Sequence, residues 1–205
     1  MSQKQFAHTV LTAACIILLL QCGIPSSAYA SSALVEQALH YMQGEKAQVV
    51  DTPSSVEVAF SPSGGATDLV IKAIQSAKQN IRVAAYSFTS RPIAKALVEA
   101  HQVGIDVEVI VDHGQIEKIG HSVVAALVAA QIPVRVDIVH TLQHDKYMVI
   151  DSQSVETGSF NYTAAAEQHN SENVIVLWNA PKLAAAFGNN WKSLWDQAEP
   201  YNGQQ

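Results

Sequence analysis

HDKYMVIDSQSVETGSFNYTAAAEQHNSE, residues His144–Glu172, is the stretch that decides how this chain is read. It opens with His144 and Lys146 at two-residue spacing, running into the apolar Tyr147-Met148-Val149-Ile150. A strand over His144–Ile150 turns alternate residues to one face, so the imidazole and the ammonium point the same way. A second short strand is expected over Val155–Asn161, where Ser159 and Asn161 repeat that spacing. Gly158, just before them, lets backbone or ligand come close. A Ser-Gln turn after Asp151 folds the two strands into a hairpin, and a third strand, Glu172 to Trp178, sets a carboxylate at its mouth. An imidazole, an ammonium, a hydroxyl, an amide and a carboxylate then converge. Such a set supplies a nucleophile or proton carrier, anion binders and an orienting base.

On either side of this stretch, strand and helix signals alternate. A strand is expected over Val56–Phe60, closed by the Ser61-Pro62-Ser63-Gly64-Gly65 turn. Helices follow over Asp68–Lys78, Pro92–Gln102 and His121–Ala130, interleaved with strands over Ile81–Ser87, Val107–Asp112 and Val134–Val139. Thr67 is the expected cap of the first helix, and Pro92 suits a first turn. The last helix, from Pro181 to about Trp195, aligns Leu183, Phe187, Trp191, Leu194 and Trp195 at a spacing that faces a core rather than a base-stacking platform. The pattern predicts an α/β fold: one domain, a mixed sheet with helices on both faces.

Residues 1–30 read as a secretory leader, with Lys4 ahead of the apolar run Thr9–Leu20 and Ala28-Tyr29-Ala30 as a small-x-small cleavage site. The run breaks at Gln21 and is too short for a spanning helix. Both cysteines, Cys15 and Cys22, lie in this leader, so the mature chain carries neither disulfide nor thiol into an oxidising compartment. The expected location is the periplasm or the medium. Residues 31–55 read as an extension and linker with a short helix at Ala33–Met42, and residues 56–200 as the catalytic domain. Without Lys4, 11 Lys and Arg face 18 Asp and Glu, a formal charge of −7. A storage or regulatory DNA binder needs a basic stripe that displaces many counterions, and this composition argues against one. A hydrolase with a local positive pocket and rapid product release tolerates an acidic exterior.

Taken together, His144-x-Lys146-x-x-x-x-Asp151, Gly158-Ser159-x-Asn161 and Ser171-Glu172-Asn173 resemble the signature of the phospholipase D superfamily. The mature chain from Phe60 to about Trp195 is similar to the small bacterial EDTA-resistant endonucleases of that superfamily, which carry one motif per chain. Ala85-Tyr86-Ser87-Phe88-Thr89 and Trp178-Asn179-x-Pro181-Lys182-Leu183 share in the likeness. The resemblance implies a phospholipase D-like fold and a metal-independent phosphodiesterase that needs no cofactor, passes through a phosphohistidine and works as a homodimer with a shared active site.

In-line displacement at phosphorus independently calls for two acid–base groups on opposite sides, and this chain has one His-x-Lys and no internal repeat. A twofold dimer supplies the second imidazole without further sequence. His144 is then nucleophile in one protomer and general acid in the other. Lys146 and Asn161 bind nonbridging oxygens, Glu172 accepts a hydrogen bond from the second ring nitrogen of His144, and Ser159 holds that arrangement or touches phosphate. Asp151, at a strand end before a turn, is expected to bond backbone amides instead. His140 and His144 have a helical metal spacing but lie in strand and loop, so no metal site is expected. His113, Lys118 and His121 border a loop, Asp112–Gly120, beside the groove. Nucleic acid is the expected substrate and no stable membrane association is expected. A phospholipase D acting on lipid headgroups is the alternative, followed by a binding module without catalysis.

Overall fold

The computed structural model describes residues 53–119 and 122–203. The expected leader and the extension up to residue 52 lie outside the described residues. In order the elements are β1 (Ser55–Ser61), α1 (Ala66–Ser76), β2 (Asn80–Ala85), α2 (Arg91–Gln102), β3 (Asp106–Asp112), α3 (His113–Ile119), α4 (Ser122–Ala129) and β4 (Val134–Asp137). Then come β5 (Lys146–Ile150), β6 (Ser154–Gly158), α5 (Ala164–Gln168), β7 (Glu172–Trp178), α6 (Pro181–Gln197) and β8 (Glu199–Pro200).

The strands form one sheet in the order β1-β7-β6-β5-β2-β3-β4-β8. β2, β3 and β4 run parallel, joined by helices, whereas β5, β6, β7 and β1 pair antiparallel, so the sheet is mixed as the alternation predicts. Alternate side chains of the central strands enter two different apolar layers. Ile81, Val83, Val107, Val109, Met148 and Val174 pack with α1, α2 and α4 on one face. Ala84, Ile110, Tyr147, Val149 and Val155 meet Ala184, Trp191 and Leu194 of α6 on the other. The Trp191 indole N–H donates to the Val83 carbonyl at 2.9 Å, so the aromatic row of the last helix is core packing.

Several local readings shift, each for a visible reason. The loop expected over Asp112–Gly120 contains α3, because the Asp112 carboxylate caps it by accepting from the Gln115 N–H at 2.9 Å. β4 stops at Asp137 rather than Val139. There the Asp137 side chain takes the N–H groups of Val139 (2.8 Å) and His140 (3.2 Å) and leads the chain out of the sheet. Thr67 does not cap the first helix, which starts at Ala66 after Gly65 at φ 81°. Its N–H and hydroxyl both reach Glu167 instead, at 2.9 and 2.7 Å. The hairpin turn centres on Asp151 and Ser152, at φ 54° and 53°, one residue earlier than a Ser-Gln turn, with Gln153 N–H bonded to Ile150 at 2.9 Å. The loop holds three residues, Asp151, Ser152 and Gln153, between the paired Ile150 and Ser154, and its first two take the left-handed conformation that lets so short a connection reverse the chain. The short helix α5, capped by Thr163, and the edge strand β8 had no clear sequence signal.

Candidate active site

The site lies where β5, β6 and β7 meet their flanking loops. β5 starts at Lys146, so His144 stands just outside the strand, exposed to solvent. Two tethers hold it there, the first of them buried. Asp112, at the end of β3, accepts from the Gln143 N–H at 2.9 Å, and the Tyr86 N–H donates to the Asp145 carbonyl at 2.9 Å. The Tyr86 ring lies 4.4 Å from the His144 ring, centroid to centroid, and Gln115 donates to its hydroxyl at 2.8 Å. These bonds tie the ends of β2 and β3, the start of α3 and the loop before His144 to one another.

Lys146 is buried among these groups. Its ammonium donates to the His144 carbonyl at 2.6 Å, sits 3.0 Å from His144 Nδ1 and lies 5.1 Å from the Tyr86 ring centre. Burial pushes the Lys146 amine below the usual lysine range, while the carboxylates of Asp145 and Glu172 pull it back up. An ammonium has no lone pair to offer, so in the charged state Nδ1 accepts and the ring proton resides on Nε2.

β6 ends at Gly158, short of the expected Asn161, because the chain there is pressed against β7. A Cβ at Gly158 would stand 2.1 Å from the Asn173 carbonyl oxygen. On either side of Gly158, Thr157, Ser159 and Asn161 face the groove. Thr157 donates its hydroxyl to the Lys146 carbonyl at 3.1 Å, and Ser159 donates to Glu172 Oε2 at 2.5 Å. Asn161 follows, and its buried Oδ1 has no hydrogen-bond partner among the described residues. The second oxygen of Glu172 accepts from the Asn170 amide at 3.0 Å. Both Glu172 oxygens are thus engaged, and the structure bonds His144 to Lys146 rather than to Glu172 as expected.

His144, Lys146, Ser159, Asn161, Glu172 and Phe187 line an open groove of ≈ 490 Å³. All five residues expected to carry chemistry share it. Asp151 does not. Its carboxylate accepts from the N–H groups of Lys78 (2.8 Å), Gln79 (2.7 Å) and Asn80 (2.9 Å) at the far end of the hairpin. His140 bonds through Nδ1 to buried Asp137 at 2.7 Å. His113 opens α3 and does not line the groove, while the side chains of Lys118 and His121 lie outside the described residues. In the sequence, Tyr86 figures only within the Ala85–Thr89 likeness and Asp112 only where an expected strand meets a loop, neither with a role at the site, and Gln143 does not figure at all. Apart from that likeness, the available signal was an aromatic residue and an acid at the ends of the adjacent parallel strands β2 and β3. Among the described residues no helix is long and apolar enough to cross a membrane.

A family model described as cardiolipin synthase, PLD-like domain, matches residues 70–195. The chain is similar in structure to a phospholipase D family member, Nuc, from Salmonella typhimurium, with 47% identity and a TM-score of 0.68, over 72% of this chain and 97% of that one. A Rickettsia bellii protein named phospholipase D is 36% identical over 140 residues, 68% of this chain and 69% of its own. A Danio rerio mitochondrial cardiolipin hydrolase is 28% identical over 151 residues, 73% of this chain and 63% of its own.

Proposed function

Because this chain belongs to the phospholipase D superfamily and is a phosphodiester hydrolase, we propose that it is a nonspecific endonuclease, cutting DNA or RNA as a homodimer with one shared site. The observation that carries the reading is the open groove in which exposed His144 stands beside Lys146, Ser159, Asn161 and Glu172. A phosphodiester lying there meets an ammonium, an amide and a ring nitrogen at once, and an open groove admits a long polymer.

In this reading Lys146 turns its ammonium from His144 Nδ1 to a nonbridging phosphate oxygen. That move frees Nδ1 to take the ring proton, and Nε2 then attacks phosphorus. The P–O bond to the leaving group breaks as the N–P bond forms, and His144 of a second copy protonates the departing oxygen. Water, activated by that second imidazole, then clears the phosphohistidine. Two lysines and two Asn161 amides stabilise the charge that a divalent cation otherwise would. The enzyme works without metal in the periplasm or the medium after the leader is removed.

The dimer has support of its own. α6 covers the middle of its sheet face and its layer takes in Leu177 of β7, but β1 is left largely exposed on that side. Val56, Val58 and Phe60 are 50, 58 and 58% exposed there, next to half-buried Ile175 and Leu177. Phe60 adjoins Ser61, which pairs with Glu172, so this apolar face borders the groove. A second copy seated there hides the face and brings the two sites together.

Hydrolysis of lipid headgroups is the second reading, favoured by relatives named phospholipase D and cardiolipin hydrolase. Incubating the mature protein with plasmid, single-stranded DNA, RNA and phosphatidylcholine vesicles, each with EDTA, separates the two. Cleavage of nucleic acid is expected. Lipid turnover without nucleic-acid cleavage overturns the endonuclease reading.

A further inference from the structure

A carboxyl group lies fully buried one layer beneath the groove. Glu156 of β6 is 1% exposed, with apolar Met148 and Val176 as its strand neighbours. Its one described hydrogen bond comes from the hydroxyl of Tyr162, itself fully buried, at 2.6 Å. An unpaired carboxyl in that position costs several kcal/mol, and a leucine of similar volume would avoid the cost. The location of the bond gives a reason for the pair.

Residues 156 to 162 run as two interleaved rows. Glu156, Gly158, Phe160 and Tyr162 form the inner row. Glu156, Phe160 and Tyr162 are buried, and Gly158 is pressed against the Asn173 carbonyl. Thr157, Ser159 and Asn161 form the outer row and line the groove, which Gly158 of the inner row also reaches. The Tyr162–Glu156 bond joins the two ends of the inner row across the span that carries Ser159 and Asn161. Tyr162 is anchored a second time through its backbone, where its carbonyl accepts from the N–H groups of Thr89 (2.9 Å) and Ser90 (2.8 Å). Asn161 precedes it by one residue and makes no hydrogen bond through Oδ1, so nothing bonded to that oxygen holds the amide in place. Its position depends on the backbone that Tyr162 fixes.

We infer that Glu156 and Tyr162 are positioning residues whose hydrogen bond sets where Asn161 and Ser159 meet the substrate phosphate. The inference rests on the groove being the phosphodiester site proposed above, though not on whether the substrate is nucleic acid or lipid. It therefore calls for a substrate with a single phosphodiester, bis(p-nitrophenyl) phosphate, and three variants. Tyr162→Phe removes the bond, Glu156→Gln keeps an acceptor for the tyrosine, and His144→Ala controls for the chemistry. The expected result is a fall in kcat of about tenfold or more in Tyr162→Phe, with KM little changed and near wild-type turnover in Glu156→Gln. Wild-type kcat in folded Tyr162→Phe overturns the inference, and so does an equal loss in both variants. If wild type and His144→Ala turn over alike, the catalytic reading fails instead.

Hydrogen exchange of the peptide covering residues 156–163 gives an answer that does not depend on turnover. Faster exchange in Tyr162→Phe but not in Glu156→Gln supports the pair as the fastener of the outer row. Unchanged exchange in Tyr162→Phe overturns it.

Discussion

The two ends of the β5–β6 hairpin carry residues of the same sequence motif and serve opposite purposes. At the closed end, Asp151 spends its carboxylate on three backbone N–H groups and the chain turns through two left-handed residues. At the open end, His144 is exposed, Lys146 is held in a partly dry pocket and Asn161 has a buried oxygen with no partner. Saturated hydrogen bonding marks the anchor, and unspent capacity marks the site. Changes at the open end should therefore cost rate and spare stability, and changes at the closed end should do the reverse.

The largest effect is expected at the open end. His144→Ala should lower phosphodiesterase turnover on the order of 10⁴-fold with an unchanged urea midpoint, because an exposed ring contributes chemistry rather than packing. A stability loss matching the activity loss would erase the contrast.

Between the two ends lies Glu156, whose carboxyl burial pushes up to about 8 from an ordinary 4.5. The unfolded chain loses this proton near pH 4.5, while the folded protein keeps it until about pH 8. Glu156 is therefore least costly to the fold below 4.5, and stability declines as pH rises towards 8, by as much as about 5 kcal/mol. In Glu156→Gln that decline should disappear, and urea unfolding at several pH values measures it. An identical slope in wild type and variant would mean the carboxyl is already ionised in the folded protein.

Lys146→Met is expected to reduce kcat on the order of 10²-fold through loss of charge at the phosphate. Its folding stability should hold or rise slightly, since burial disfavours the ammonium in the resting protein. At the closed end, Asp151→Gly keeps the left-handed turn but abandons three amides, and about 2 kcal/mol of stability should go with kcat intact. The smallest effect has the opposite sign. Ser152→Gly relieves a non-glycine residue at φ 53°, and a gain of about 1 kcal/mol is expected in the same denaturation assay.

What the sequence made legible followed from short-range periodicity. β7 runs from Glu172 to Trp178 as read, and the other central strands shift by one to three residues. The groove residues were legible because each lies within a few positions of a glycine or a strand end. The groups that hold them were not. Asp112 reaches Gln143 across 31 positions, and Gln115 reaches Tyr86 across 29. No local pattern announces such a contact. The partners of Glu172 were misread for a related reason: Asn170 lies two residues away and competes for the carboxylate, which pairing by chemical role alone does not foresee. Glu156 hid inside the polar-looking strand Ser154-Val155-Glu156-Thr157-Gly158, where an acid among Ser and Thr gives no sign of facing inward.

The shared site is the claim on which the mechanism stands, and subunit mixing tests it most directly. Wild-type chains are unfolded and refolded with increasing proportions of His144→Ala chains, and nuclease activity is followed per wild-type chain. With one site built from two imidazoles, that activity should fall as the wild-type fraction falls, since mixed dimers are dead. Activity per wild-type chain that stays constant at every ratio would contradict the account and place the whole reaction within a single copy.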